Sequence, residues 1–150
     1  MRKIIDLGMH PFADTFISEA QLGLSEPVYP LQCLLDENTG HVKLKYETNS
    51  DDRYNLYDYS YTSANSKFSR NHWDDYARHT SKKVNLKKNS YIVEIGSNDG
   101  YLSEQYQKLG YNVLGVDPSK YMAQLARERG VATYCDIFNS KTNSKTKVSV

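Results

Sequence analysis

The chain has little of what would tie it to a disulfide scaffold, a charged surface or a membrane. Two cysteines in 150 residues, Cys33 and Cys135, are too few for a disulfide framework, so reduced thiols are the expected state. The formal net charge is +1 with both signs dispersed, which leaves no electrostatic footprint for nucleic acid or an anionic membrane. A short basic cluster, Lys82-Lys83 and Lys87-Lys88, reads as a solvated linker. No apolar run approaches the roughly 20 residues of a membrane span. The opening Met1-Arg2-Lys3-Ile4-Ile5-Asp6 has a basic start but no apolar run of signal-peptide length. A soluble, cytoplasmic protein with neither nucleic acid nor membrane as partner is the expectation. Tyrosine is over-used, at 13 residues, most of them between Tyr29 and Tyr91. Such rings either line polar ligand clefts or half-fill the core of a small polar domain.

The chain divides near 82–90, where a lysine- and asparagine-rich stretch precedes the first clear apolar strand. Before it, Ile4–Gly8 reads as a short strand ending in a turn and Pro11–Phe16 as a packed loop. Tyr29–Leu35 and His41–Tyr46 read as two strands of a hairpin around Asp36-Glu37-Asn38-Thr39-Gly40, the second alternating in period two. A helix is predicted over 66–81, with Phe68, Trp73, Tyr76 and Ala77 at mixed helical spacings.

After Ser90 the pattern becomes strand, helix, strand, helix, strand. Tyr91–Gly100 is a buried strand running into a glycine turn. A helix follows from just past Gly100 to Gly110, then a strand over Tyr111–Asp117. Pro118 suits the first turn of the next helix, Ser119–Arg129, which Gly130 ends, and Val131–Asp136 is the third strand. Alternation at this spacing implies a parallel, doubly wound α/β sheet. Residues 139–150 are mostly polar, and no fourth strand follows unless Lys147–Val150 starts one. A three-stranded sheet of this type leaves an exposed edge and an uncovered face. The expectation is an N-terminal portion of a larger enzyme.

A ligand in this fold sits beyond the carboxyl ends of the strands, where the first helix offers unpaired backbone N–H groups. A dinucleotide needs G-x-G-x-x-G, so that its pyrophosphate can press against the helix. Here the turn is Gly96-Ser97-Asn98-Asp99-Gly100, without the closely spaced pair, and Glu94 precedes it. A carboxylate there repels pyrophosphate and suits a cationic ligand. This opposes a nicotinamide-dependent oxidoreductase. Asp117, closing the second strand, can accept hydrogen bonds from both hydroxyls of a ribose.

The pattern E-x-G-x-N-x-G with Asp117 downstream resembles the first two motifs of class I S-adenosylmethionine-dependent methyltransferases. The resemblance implies a Rossmann-like domain in which Glu94, Gly96, Ser97, Asn98 and Gly100 form the loop under the cofactor's amino-acid part. It also implies that Asp117 holds the ribose and Asp136 contacts the adenine amino group. The N-terminal half narrows the family. Leu7–Phe16 resembles the "LG-x-x-P-x-A-N-x-F" opening of methyltransferases with a small zinc-binding N-terminal domain, and Tyr29-Pro30-Leu31 matches their next landmark. Tyr59–Ser66 followed by His72 resembles their "Y-x-Y-x-S-x-x-S … H" segment, and Glu94–Tyr101 is nearly their "EIGSNDGY". These enzymes are typified by C-methyltransferases of nucleotide-linked deoxysugars. The collinear resemblance covers about residues 4–138. It implies that Tyr59, Tyr61, Ser63, Ser66 and His72 lie near a nucleotide-sugar methyl acceptor.

One feature of the family is missing. Structural zinc takes four N/S ligands, commonly two C-x₂-C pairs. The alignment puts the second pair at Asp36 and Thr39, neither a thiol, while Cys33 is off-register and Cys33, His41 and His10 match no standard spacing. No metal is expected, and the hairpin is expected to pack on Leu34, Leu35, Val42 and Leu44. The resulting organisation is a degenerate zinc-knuckle-like domain over 1–57, a linker segment and helix over 58–89, the first half of a cofactor-binding Rossmann-like domain over 90–138, and a polar tail. In the family the catalytic base comes from sequence beyond the fourth strand, so no catalytic residue is assigned. A truncated, non-catalytic module that binds cofactor or a partner is the alternative.

Overall fold

The computed structural model describes residues 1–13, 15–49, 58–59, 61–140 and 142, with only the backbone of Thr15, Asp58 and Tyr59. Asp14, Ser60 and nearly all of the polar tail, including Lys147–Val150, lie outside the described residues. The chain forms two compact units, Met1–Tyr59 and Ser60–Val150.

In the first unit, β1 (Arg2–His10), β3 (Tyr29–Leu35) and β4 (Val42–Leu44) make an antiparallel sheet in the order β1-β3-β4. The β3–β4 hairpin has Leu35 opposite Val42 and Cys33 opposite Leu44. The first strand is longer than the expected Ile4–Gly8. Gly8 lies inside it, in a register shift between Asp6 and Met9, with φ of 82°. An extra residue and a left-handed glycine make a bulge there, so the chain bends without leaving the sheet. The expected loop over Pro11–Phe16 contains β2 (Thr15–Phe16), which pairs with β5 (Asp58–Tyr59). A 3-10 turn at Glu19–Gln21 had no sequence signal recognised, although Ser18 and Gln21 form a capping box around it.

The expected apolar packing of the hairpin is not realised. Val42 and Leu44 are exposed and β3 is half-buried along its length. None of the described residues of this unit is buried. Polar ties take the place of a core. Asp6 accepts from Lys3, from the Gly8 amide and from Gln32, Arg2 pairs with Glu37, and Phe12 lies 4.6 Å from Tyr29 between ring centroids.

The second unit begins with α1 (Lys67–Lys83), whose N-cap Ser66 accepts from the Ser69 amide at 3.0 Å. Then β6 (Tyr91–Ile95), α2 (Tyr101–Lys108), β7 (Asn112–Val116), α3 (Lys120–Glu128) and β8 (Thr133–Tyr134) alternate. The three strands are parallel in the order β6-β7-β8, a Rossmann-like start. Ala77 of α1, Tyr106 of α2 and Val113 of β7 form one core cluster, joined by Ile92, Leu102 and Tyr111. Met122, Ala123, Ala126, Val116 and Val131 are buried around α3. Phe68, included in the helical pattern, is exposed instead.

Two expectations are corrected. Pro118 precedes the N-cap Ser119, whose hydroxyl accepts from Met122, so it lies outside the helix. And β6 is not buried on both faces. Ile92 and Glu94 face inward, while Tyr91 and Ile95 are 72% and 60% exposed. Among the described residues β6 lies at the sheet edge, so there this strand carries the uncovered face and open edge that a three-stranded sheet implies. Both cysteines are free, and no described helix is long and apolar enough to cross a membrane.

Candidate functional site

The glycine turn joins the end of β6 to α2, against the end of β7. The protein itself uses part of the expected row of N–H groups, in the turn and in the first turn of α2. Gly96 N–H and Ser97 N–H both donate to the Val116 carbonyl, at 2.8 and 3.2 Å. Asn98 N–H donates to Asp117 Oδ2 at 2.8 Å, Gly100 N–H to Ser97 O at 3.0 Å, and Tyr101 N–H to Asp99 Oδ1. A second donor, Ser119 N–H, holds Asp117 Oδ1 at 2.9 Å. Glu94 takes both the hydroxyl and the backbone N–H of Ser103 in the first turn of α2. With two carboxylates on the first turn of α2 and Asp117 on the turn before it, this helix start disfavours a pyrophosphate.

The glycines of the site do different work. Gly96, at φ 73°, has open space where a side chain would stand. Gly100, at φ 74°, faces α3: a Cβ there would lie 2.8 Å from Ala126 Cβ. Gly115 of β7, with no sequence signal recognised, lets the turn cross the strand, since its Cβ would meet Ser97 Oγ at 2.5 Å. Ser97 itself is 2% exposed, and its hydroxyl has no hydrogen-bond partner among the described residues.

Charge here is one-sided. Glu94, Asp99 and Asp117 gather at the turn, and among the described residues Arg129 is the basic side chain that pairs with any of them, through Asp99 at 3.2 Å. Burial, with smaller contributions from Asp99 and Asp117, pushes the Glu94 carboxyl up to about 7 against the pull of Ser103. Burial also raises Asp117, opposed by its two backbone donors. Each carboxylate oxygen of Asp117 has capacity for a second donor.

The predicted acceptor segment touches the turn through Asn98. Its Oδ1 accepts from Ser63 N–H at 2.8 Å and from Ser63 Oγ at 3.2 Å, and its Nδ2 donates to Tyr61 O at 2.9 Å. The Trp73 indole N–H donates to Ser63 O at 3.2 Å. Tyr61 is exposed, Ser66 Oγ is used in capping α1, and His72 sits exposed on α1 with its ring edge-on to Trp73. The Tyr59 side chain lies outside the described residues. Asp136 lies two residues past β8, half-exposed, accepting from Ile137 N–H. Asp99 and Arg129 escaped the sequence reading. Asp99 stands within the turn motif and was readable, whereas nothing local marks Arg129.

In the first unit, the residues at the knuckle positions do not fit zinc. Asp36 Oδ1 accepts from Asn38 N–H at 3.0 Å, and the Asn38 amide followed by the Thr39 hydroxyl holds its carboxyl below the usual range. Thr39 Oγ1 in turn accepts from His41 N–H at 3.3 Å. His10 Nε2 donates to Leu7 O. Among the described residues, no group of three or more His, Cys, Asp or Glu side chains is placed to hold a metal.

Comparison with known proteins agrees with this two-part layout. Residues 1–54 match the family described as "Putative zinc binding domain", and residues 93–143 match the "Methyltransferase domain" family. The chain is 25% identical over 130 residues to the C-methyltransferase NovU of Streptomyces niveus, an alignment covering 87% of this chain. It spans about 30% of that relative's length. The hairpin unit is thus similar to the zinc-binding-domain family, and the glycine turn between parallel strands lies in the stretch that matches a methyltransferase domain.

Proposed function

We propose that the chain forms the cofactor-facing part of an S-adenosylmethionine-dependent methyltransferase that methylates a carbon of a nucleotide-linked deoxy-ketosugar. The observation that carries this reading is the Asp117 carboxylate. It is fixed at the end of β7 by two backbone donors, beside a turn that is open at Gly96. Its remaining acceptor capacity suits the paired hydroxyls of a ribose. The surplus of carboxylates, with Arg129 paired to Asp99, suits a ligand carrying sulfonium and ammonium charges and disfavours a pyrophosphate.

In this reading Gly96 lets the ligand approach the backbone, and Ser97, Asn98 and Gly100 keep the turn's shape. Glu94 contributes charge from beneath, and Asp136 reaches the adenine amino group. The cofactor, when bound, supplies an activated methyl group. The protein's part is to hold it in line with the acceptor carbon and exclude water. Tyr59, Tyr61, Ser63, Ser66 and His72 belong to the acceptor side, with tyrosine rings stacking on base or sugar. The sugar assignment rests on the resemblance of that segment and on the C-methyltransferase relative. No residue is assigned as the base that removes the proton from the acceptor carbon.

Among the described residues β6 lies at the sheet edge with Tyr91 and Ile95 exposed, which favours a second reading for the chain in isolation, as a module that binds the cofactor without turning over. Calorimetric titration with S-adenosylhomocysteine tests both. Binding is expected, and Asp117→Ala should weaken it at least about tenfold, the worth of a charge-assisted hydrogen bond. Affinity unchanged by Asp117→Ala sinks the ribose assignment, and absence of heat from the wild-type chain sinks the cofactor reading. Methyl transfer by the isolated chain to a nucleotide-linked ketosugar would decide against the module.

A further inference from the structure

The Asn98 side chain behaves as a peptide group in a ladder. It accepts from the Ser63 amide and donates to the Tyr61 carbonyl, two residues back along the same segment. Its own backbone N–H faces the other way, onto Asp117. The residue sits at φ 50°, in the left-handed region where asparagine is among the few side chains tolerated. That conformation lets one residue present its amide hydrogen to the ribose-side carboxylate and its side chain to the 61–63 segment. Asn98 is nine-tenths buried, and both polar groups of its amide are engaged with this segment. The far side of the segment is held by Trp73, through Ser63 O.

We infer that Asn98 is a positioning residue: its amide couples occupancy of the glycine turn to the order of the 61–63 segment, so that cofactor binding prepares the acceptor side. The inference rests on the cofactor reading above. A ligand hydrogen-bonded to Asp117 restrains the carboxylate that holds Asn98 N–H, and the same residue's side chain then holds Tyr61 and Ser63 in place. Coupling of this kind is reciprocal, so an acceptor that orders the segment tightens the cofactor in equal measure.

The chain carries its own reporter. Trp73 is the single tryptophan, and its indole donates to the segment in question. S-adenosylhomocysteine should change Trp73 emission with the same midpoint as the calorimetric heat. Asn98→Gly keeps the positive φ and the backbone donor to Asp117; at ligand concentrations that saturate its own calorimetric heat, whatever its affinity, the emission change should be lost. Ser63→Ala keeps the Ser63 amide donor and should retain the emission change. In the wild-type chain, hydrogen exchange at the Ser63 amide should slow about tenfold on saturation, within the usual range of coupling between sites. An undiminished emission change in Asn98→Gly, or Ser63 exchange unaltered by ligand, overturns the inference and leaves the cofactor reading standing. No heat in the wild-type chain overturns the cofactor reading and the relay with it. The clasp is then decided by acrylamide quenching of Trp73 without ligand, which Asn98→Gly should increase; equal quenching would overturn that as well.

Discussion

Arg129, the C-cap of α3, donates to the carboxylate of Asp99 in the glycine turn at 3.2 Å, and Asp99 is only 1% exposed. The same guanidinium lies over the Tyr101 ring, 5.5 Å from its centroid, and Tyr101 OH donates to Asp74 of α1. One side chain thus ties the end of α3 to the turn and to α2.

Removing it leaves a buried carboxylate unpaired. Arg129→Ala should cost about 2–3 kcal/mol, below the full cost of breaking a buried pair because the arginine is partly solvated. Asp99→Asn combined with Arg129→Met should recover part of that loss, since the uncompensated charge goes with it. Urea unfolding of the three chains reads this directly. A loss in the single variant under about 0.5 kcal/mol would make the pair ornamental.

The two glycines of the turn should separate stability from binding. Gly100→Ala forces a Cβ to within 2.8 Å of Ala126 at a φ of 74°, so it should destabilise the fold by about 2–4 kcal/mol. Gly96→Ala meets nothing within 4 Å, so it should cost only about 1 kcal/mol of backbone strain while weakening S-adenosylhomocysteine. Thermal unfolding and calorimetry on both variants test the division. Equal stability losses would contradict it.

Glu94 makes stability depend on pH. Its carboxyl is raised from 4.5 to about 7, chiefly by burial, so the folded chain keeps a proton that the unfolded chain has released between those values. Stability should therefore fall as pH rises through that window, and Glu94→Gln should flatten the curve. A cationic ligand favours the ionised form, so its affinity should climb over the same range and binding should release a proton. Denaturant unfolding from pH 4.5 to 8 and calorimetry in buffers of differing ionisation enthalpy measure the two effects. A Glu94→Gln curve with the wild-type slope would assign the dependence elsewhere.

The hairpin turn of the first unit should stand without metal. Asp36 and Thr39 hold its amides and each other. Chelator should leave the melting temperature unchanged, whereas Asp36→Ala should lower it, as loss of a local turn bond does. Elemental analysis finding one zinc per chain would overturn this.

Much of the second unit was legible from residue pattern. The strand at Tyr91–Ile95, the helix capped by Ser66 and the strand before Asp117 follow from periodicity and capping, which are local properties. The first unit was less so. The bulge at Gly8 and the short β2–β5 pairing depend on partner strands, and a pattern read along one strand does not reveal its partner. The hairpin residues looked like a core by their chemistry, yet Val42 and Leu44 are exposed, because composition does not say whether anything packs against a face.

The amino-acid sequence alone determined the alternation of strands and helices, the position of the glycine turn and the choice of acids around it, since each is set by neighbours a few residues away. Only the tertiary structure decided where the turn's hydrogen bonds go. Gly96 and Ser97 turn to Val116, Asn98 to Asp117 and to Ser63 thirty-five residues earlier, and Asp99 to Arg129. Those pairings arise where β6, β7 and α3 pack close enough to leave no room for a Cβ at Gly100 or Gly115. Such close approach is a property of packed elements, and spacing along the chain does not encode it.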